Sequence, residues 1–207
     1  RILFTHPHAD HLNPVELYWR SPGYSVVTRM LTIIGSRPVF DKIIRHLGPG
    51  EEQKTLERFR IKPLVVSAGT PCSDGDITLL PLAANHAPGL EPLVYVITRG
   101  GRSLLIANDT GWLPGASWKA LEGIRLDAAV IESTCVLKDA DCRDGHMGLN
   151  TTVAFRDRLR GMGCLAPGAA VVTNHFSHNG GLNHAEMDEA YGRHGIAVAH
   201  DGMTLEV

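Results

Sequence analysis

The sequence predicts an α/β protein. Runs of strand length rich in Val, Ile, Leu and Thr alternate along the chain with stretches of helical period. Four of the apolar runs are followed at the second residue by His or Asp, so chemically active side chains collect where strands stop. At 207 residues the chain is long enough for one sizeable core, or for two small half-domains sharing one interface.

Composition narrows the function class. With 43% hydrophobic and 20% charged residues the chain reads as an ordinary globular protein. A net charge of −2 argues against a strongly basic nucleic-acid surface, though Arg37, Lys42 and Arg45 form a local basic cluster. No apolar run approaches the roughly 20 residues of a membrane span, and no signal peptide is visible. Cys72, Cys135, Cys142 and Cys164 are scattered without a CxxC, which fits a reducing, cytoplasmic setting better than a disulfide framework.

The first apolar run, Ile2-Leu3-Phe4, reads as a short buried strand. It runs into Thr5-His6-Pro7-His8-Ala9-Asp10-His11, where three imidazoles and a carboxylate fall within six residues. Neutral imidazole and carboxylate together suit zinc, manganese or iron. Extended backbone puts residues i and i+2 on one face, so His6 and His8 can grip one ion. A turn into a helix would carry Asp10 and His11 to a neighbouring position. Asn13-Pro14 fits that helix start, with Asn13 as N-cap and Pro14 as first helical residue.

Residues 15–19 continue that helix until Ser21-Pro22-Gly23 breaks it. Residues 25–34 read as a strand. Ser36-Arg37-Pro38 opens a helix to Leu47, with Val39, Phe40, Ile43, Ile44 and Leu47 on one stripe, and Gly48-Pro49-Gly50 ends it. Residues 51–60 read as a polar helix, with His46 on the surface nearby. Residues 61–67 and 76–82 read as strands joined by a turn over 70–75.

Beyond them Asn85-His86 closes an apolar strand, where a histidine taken alone would be structural. Residues 93–98 and 103–107 form a hairpin across Arg99-Gly100-Gly101-Arg102, delivering Asn108-Asp109-Thr110-Gly111. Asp109 taken alone would be a turn residue. A loop and short helix fill 112–121, residues 126–132 are a strand, and a charged loop spans 138–145. His146 precedes a helix that runs through Arg160, and serves either as a cap or in the site. Residues 169–173 form a buried strand ending in Asn174-His175-Phe176-Ser177-His178-Asn179. A helix over 185–193, with His184 and His194 on the surface, leads to strands at 196–198 and 204–207.

The opening motif resembles the HxHxDH signature of the metallo-β-lactamase superfamily of hydrolases, and the later landmarks follow in that family's order along nearly the whole chain. The resemblance implies a single domain over 1–207 with the αββα sandwich of that family. The family's first strands lie before its motif, so they are expected upstream of the chain given. It also implies two divalent ions, zinc or manganese. His6, His8 and His86 would hold one, Asp10, His11 and His175 the other, and Asp109 would bridge them.

Two ions at about 3.5–4 Å can share a hydroxide as nucleophile, with Asp10 orienting it. Four features resemble the phosphodiesterase branch: Ile131-Glu132-Ser133-Thr134-Cys135, His146 before its helix, Asn174-His175-Phe176-Ser177 and Asp201-Gly202-Met203. The closest likeness is the phosphodiesterase of phosphoribosyl cyclic phosphate, in which a histidine in the place of His146 assists the leaving oxygen. The sequence departs from that enzyme in a longer span between His146 and His175, in Asn174 where Thr is usual, and, within the chain given, in lacking the upstream cysteines for a structural zinc. The tRNA 3′-processing nucleases are siblings, but no basic Gly-Pro-rich arm for gripping RNA is present.

The expected activity is therefore hydrolysis of a small phosphodiester, cyclic ones included, by a metal-bridging hydroxide, with Asp10 and His146 catalytic and His178 lining the substrate pocket. The alternative is a thioester or lactone hydrolase. A non-catalytic sensor would show lost ligands, and all seven are retained. Expected partners are a small-molecule substrate and a second copy in a homodimer, without membrane or nucleic acid.

Overall fold

The computed structural model describes residues 1–207. The chain forms two compact units, Arg1–Ser67 with Pro88–Leu93, and Ala68–Ala87 with Val94–Val207. The fold class is the expected mixed α/β, with ten strands and six helices. No helix is long and apolar enough to cross a membrane.

The first unit is built on three parallel strands in the order β1 (Ile2–Leu3), β2 (Leu31–Gly35) and β3 (Ile61–Val65). Between them lie α1 (Val15–Tyr18), α2 (Arg37–Leu47) and α3 (Glu52–Arg58). Pro63 is tolerated because β3 is an edge strand, where a missing N–H costs no ladder bond on the outer side. The stripe foreseen on α2 is what the unit buries: Val39, Phe40 and Ile43 are fully covered and pack with Leu12, Ile33, Leu56 and Phe59.

Two expectations need correction here. The strand read over 25–34 starts only at Leu31, where Ile61 supplies its first partner. Val26 is 98% exposed, so the β-branched run before Leu31 has no sheet to join. The helix after the motif is also short. It ends before Trp19, its N-cap position falls to Pro14, and Asn13 instead accepts a hydrogen bond from the Val15 N–H at 3.3 Å.

The second unit holds one seven-stranded sheet and three helices. Its elements in chain order are β4 (Cys72–Asp74), β5 (Ile77–Ala83), β6 (Leu93–Arg99), β7 (Arg102–Ala107), α4 (Gly115–Leu121), β8 (Leu126–Glu132), α5 (Leu149–Gly161), β9 (Leu165–Asn174), α6 (His184–Gly192) and β10 (Ala197–Val198). The sheet order is β10-β9-β8-β7-β6-β5-β4. Strands β7, β8 and β9 run parallel, so their carboxyl ends lie side by side. The near-continuous apolar runs of β8 and β9 are those of strands covered on both faces. Phe155 and Leu159 of α5 and Trp118 and Leu121 of α4 pack with them, all at most 2% exposed.

Three local readings change. Within the turn read over 70–75, Cys72–Asp74 pairs antiparallel with Ile77–Leu79, and the reversal is made by Gly75 at φ 62°. Strand β9 starts at Leu165 rather than 169, because a register shift opposite Leu126–Ala128 absorbs Pro167 and Gly168. Residues 204–207 form no strand, since nothing pairs with them.

Candidate metal centre

In the first unit the motif leaves the carboxyl end of β1 and turns. The Leu12 N–H reaches the His8 carbonyl at 2.9 Å, so Asp10 and His11 do swing away from the extended part. His6 is fully buried, His8 and His11 are half-buried, and Asp10 is exposed. The His6 ring centroid lies 4.4 Å from that of His8 and 4.6 Å from that of His11. Three imidazoles thus converge within one heptapeptide. The Thr5 hydroxyl bonds His6 Nδ1 at 3.0 Å, which holds that ring from one side. Asp10 Oδ2 lies 3.3 Å from His11 Nε2. Lys42 Nζ donates to the Pro7 carbonyl at 2.8 Å, pinning the loop to α2.

In the second unit the candidate ligands come from separate strand ends. His86 follows β5, Asp109 follows β7 and His175 follows β9. The Asp109 carboxylate, 2% exposed, splits between two imidazoles: Oδ1 is 2.8 Å from His175 Nε2 and Oδ2 is 3.9 Å from His86 Nε2. The other nitrogen of each ring is already held. His86 Nδ1 donates to the Gly145 carbonyl at 2.8 Å, and His175 Nδ1 meets the Thr134 hydroxyl at 2.9 Å. Both Nε2 atoms therefore face the carboxylate: the Gly145 carbonyl sets the His86 tautomer, and the Thr134 hydroxyl, which can donate or accept, fixes the orientation of the His175 ring.

The Asp109-Thr110-Gly111 turn explains its own composition. Asp109 adopts φ 48° and His175 φ 58°, the left-handed region that Asp and His enter more readily than most residues. Such backbone costs about 1–3 kcal/mol and persists where the surroundings impose it. Thr110 supplies that constraint. Its hydroxyl accepts from the Asn85 N–H at 2.9 Å, and its own N–H donates to Glu132 Oε1 at 2.9 Å. Gly111 is required because a Cβ there would stand 2.0 Å from the Arg143 carbonyl oxygen.

Glu132, at the end of β8, is fully buried. Its Oε1 accepts from Thr110 N–H and from His146 Nδ1 at 2.8 Å; its Oε2 accepts from Thr134 N–H at 2.8 Å and Met147 N–H at 3.2 Å. Glu132, His146 and His175 also place donor atoms within 4.8 Å of one another. With all its acceptor positions taken, however, Glu132 holds the imidazole rather than a cation. The Glu132 hydrogen bond raises the His146 pKa above its ordinary value, against the opposing effect of burial. The His146 ring lies 4.7 Å from His86 and stacks at 6.0 Å on His175.

So in the second unit the structure brings together His86, Asp109, His175 and His146, and adds Glu132, whose role the sequence reading had not assigned. The available signal was a carboxylate ending an apolar strand three residues after Ala129. His178 is exposed. His200 is exposed and bonds the Asp201 carbonyl, and His184 pairs with Asp188.

A profile described as the beta-lactamase superfamily domain matches residues 1–176. No curated protein matches the sequence. Among solved structures, zinc-bound PqqB from Methylobacterium extorquens is similar over 99% of this chain and 72% of its own, with 15% identity and a TM-score of 0.69. The metallo-β-lactamase fold protein YhfI from Bacillus subtilis covers 99% and 76%, with 16% identity and a TM-score of 0.70. Human tRNase Z, short form, covers 99% and 78%, with 18% identity and a TM-score of 0.65. At these identities the likeness is one of fold.

Proposed function

The chain belongs to the beta-lactamase superfamily, a fold of metal-dependent hydrolases, and on that premise we propose that it uses two divalent ions to hydrolyse a small phosphodiester, cyclic ones included. His6, His8 and His86 would hold one ion, Asp10, His11 and His175 the second, with Asp109 shared. One observation carries this reading: Asp109 directs its two oxygens to two different imidazoles, each locked from its far side. A buried carboxylate so divided fits a bridging ligand, and imidazole nitrogen with carboxylate oxygen is the donor set of zinc and manganese.

When bound, such ions lower the pKa of a water and balance charge developing on the phosphoryl oxygens. The chain's own groups do the rest. Asp10, exposed beside His11, orients the attacking water. His146 gives Nδ1–H to Glu132, which leaves Nε2 to hand a proton to the leaving oxygen. Glu132 fixes that ring and stabilises its charged form, the part a buried carboxylate plays behind a catalytic histidine. The water, its first proton released to solvent, bonds phosphorus as the bond to the ester oxygen breaks; that oxygen takes the imidazole proton, and solvent reprotonates the imidazole. The "EST" segment and the His146 helix start support phosphodiester over other bonds.

Metal analysis of the purified protein tests the centre: close to two ions per chain are expected, and one or none contradicts it. Hydrolysis of bis-p-nitrophenyl phosphate faster than a thioester or lactone is the expected order. The reverse order replaces the phosphodiester reading with a thioester or lactone hydrolase.

A further inference from the structure

Helix α2 has a second face. Opposite the buried stripe of Val39, Phe40, Ile43 and Ile44, the residues Pro38, Asp41, Lys42, Arg45 and His46 recur at three- and four-residue spacing. On an ordinary amphipathic helix that face would simply be solvated. Here, with Pro7 of the histidine motif and Gly89-Leu90, it lines a solvent-open cavity of about 370 Å³ within the first unit.

The charges in this cavity are unequally committed. Lys42 is tied to the Pro7 carbonyl. Asp41 is engaged by Arg37 at 2.7 Å, and Arg37 also forks onto both oxygens of Glu52. His46 uses Nδ1 on the Lys42 carbonyl at 2.9 Å, leaving Nε2. Arg45 is exposed, and its guanidinium makes no hydrogen bond or ion pair to the protein. The lining therefore carries two cations and an imidazole against one carboxylate already paired. Its uncommitted group is the planar fork that best matches an oxyanion.

We propose that this cavity is an oxyanion subsite, receiving a carboxylate or phosphate that the substrate carries beyond the bond to be cut. Pro7 lies between His6 and His8, so a group seated here is beside the histidine motif in the same unit. The inference rests on the phosphodiesterase reading for the bond cleaved, but not for the cavity itself. It assigns the substrate class: a diester with a second anionic group, gripped by Arg45 with Lys42 and the His46 ring nearby.

The test uses metal-loaded protein and three diesters: p-nitrophenyl propyl phosphate and the same ester with its propyl chain ending in a carboxylate or a phosphate. The expected result is a kcat/KM preference of about tenfold for at least one charged tail, expressed in KM, as for one tenfold step in binding. Arg45→Gln should abolish the preference and Arg45→Lys should keep part of it. The tail preferred identifies the source of the anion. No preference in the parent protein, or an unchanged one in Arg45→Gln, overturns the proposal. A second readout is the Arg45 Nε–H resonance in protein with 15N-labelled arginine, assigned by its loss in Arg45→Gln. Saturable, salt-sensitive movement on adding inorganic phosphate is expected, and a stationary signal overturns the subsite. If none of the esters is cleaved while the resonance moves, the phosphodiesterase reading fails and the subsite stands.

Discussion

The two units present their histidines by different means. In the first, His6, His8 and His11 lie in one short stretch, and their rings lean on one another at 4.4 and 4.6 Å. In the second, His86, Asp109 and His175 arrive from three strand ends. Each imidazole there is held by a distant partner, Gly145 for His86 and Thr134 for His175. A local cluster is arranged largely by its own backbone turn. A dispersed one depends on sheet register and on bonds between loops, so it tolerates less change at a distance.

The dispersed half also holds His146, which we propose moves a proton, and removing it sharpens the contrast most. His146→Ala should lower kcat by about 10²–10⁴ while metal content holds, because His146 is bound through Glu132 rather than through the ligand set. Turnover measured beside metal analysis separates the outcomes. Unchanged turnover would return His146 to a helix-capping role and leave the second unit with ligands alone.

The same contrast governs what the sequence discloses. Thr5 to His11 is legible because its candidate ligands are neighbours along the chain. His86, Asp109 and His175 each look like structural or turn residues, and only their order in a family resemblance marks them. Glu132 was the least legible. Its role is set by N–H groups from Thr110, Thr134 and Met147, three segments that only the folded sheet brings to one carboxylate. Propensity misled at the edges. The Val26-Val27-Thr28 run looks like a strand, yet it lies before Leu31, where pairing begins. Residues 204–207 have strand-like composition and no neighbour to pair with. The Pro167-Gly168 pair looks like a break, and the sheet takes it in as an irregularity within β9.

If the loops behind the second unit's ligands are as closed as their bonds suggest, a chemical probe can detect it. All four cysteines lie in that unit. Cys135 sits in the segment joining Glu132 to His146, its N–H bonded to the Met147 carbonyl at 2.9 Å. Burial, and then the neighbouring Cys142 thiol, push the Cys135 pKa up to about 12. The thiolate is the reactive form, and an ordinary thiol has a pKa of about 8.5, so at pH 8 Cys135 should be alkylated on the order of a hundredfold more slowly, its scarce thiolate being the more nucleophilic one. Its rate should climb about tenfold per pH unit from 8 to 10 rather than level off. Peptide mass spectrometry after timed iodoacetamide treatment reads this residue by residue. Levelling near pH 8.5 would mean that the segment opens in solution.

The finest comparison sets the two hydroxyls behind the ligands against each other. Thr5 bonds His6 Nδ1 at 3.0 Å and Thr134 bonds His175 Nδ1 at 2.9 Å, so Thr5→Val and Thr134→Val remove like contacts from unlike settings. Loss of such a supporting bond costs about 10–100-fold in metal affinity. The His6 ring is fully buried and is flanked by His8 and His11, so packing should keep it in place without the hydroxyl. The His175 side chain is 26% exposed on left-handed backbone, where a ring released from Thr134 has room to rotate. Thr134→Val should therefore fall near the hundredfold end and Thr5→Val near the tenfold end. Both should melt close to the parent, since a single hydrogen bond contributes only about 0.5–1.5 kcal/mol. Competition with a calibrated zinc chelator measures the affinities directly. Equal losses would mean that the local cluster needs its outside support as much as the dispersed one does.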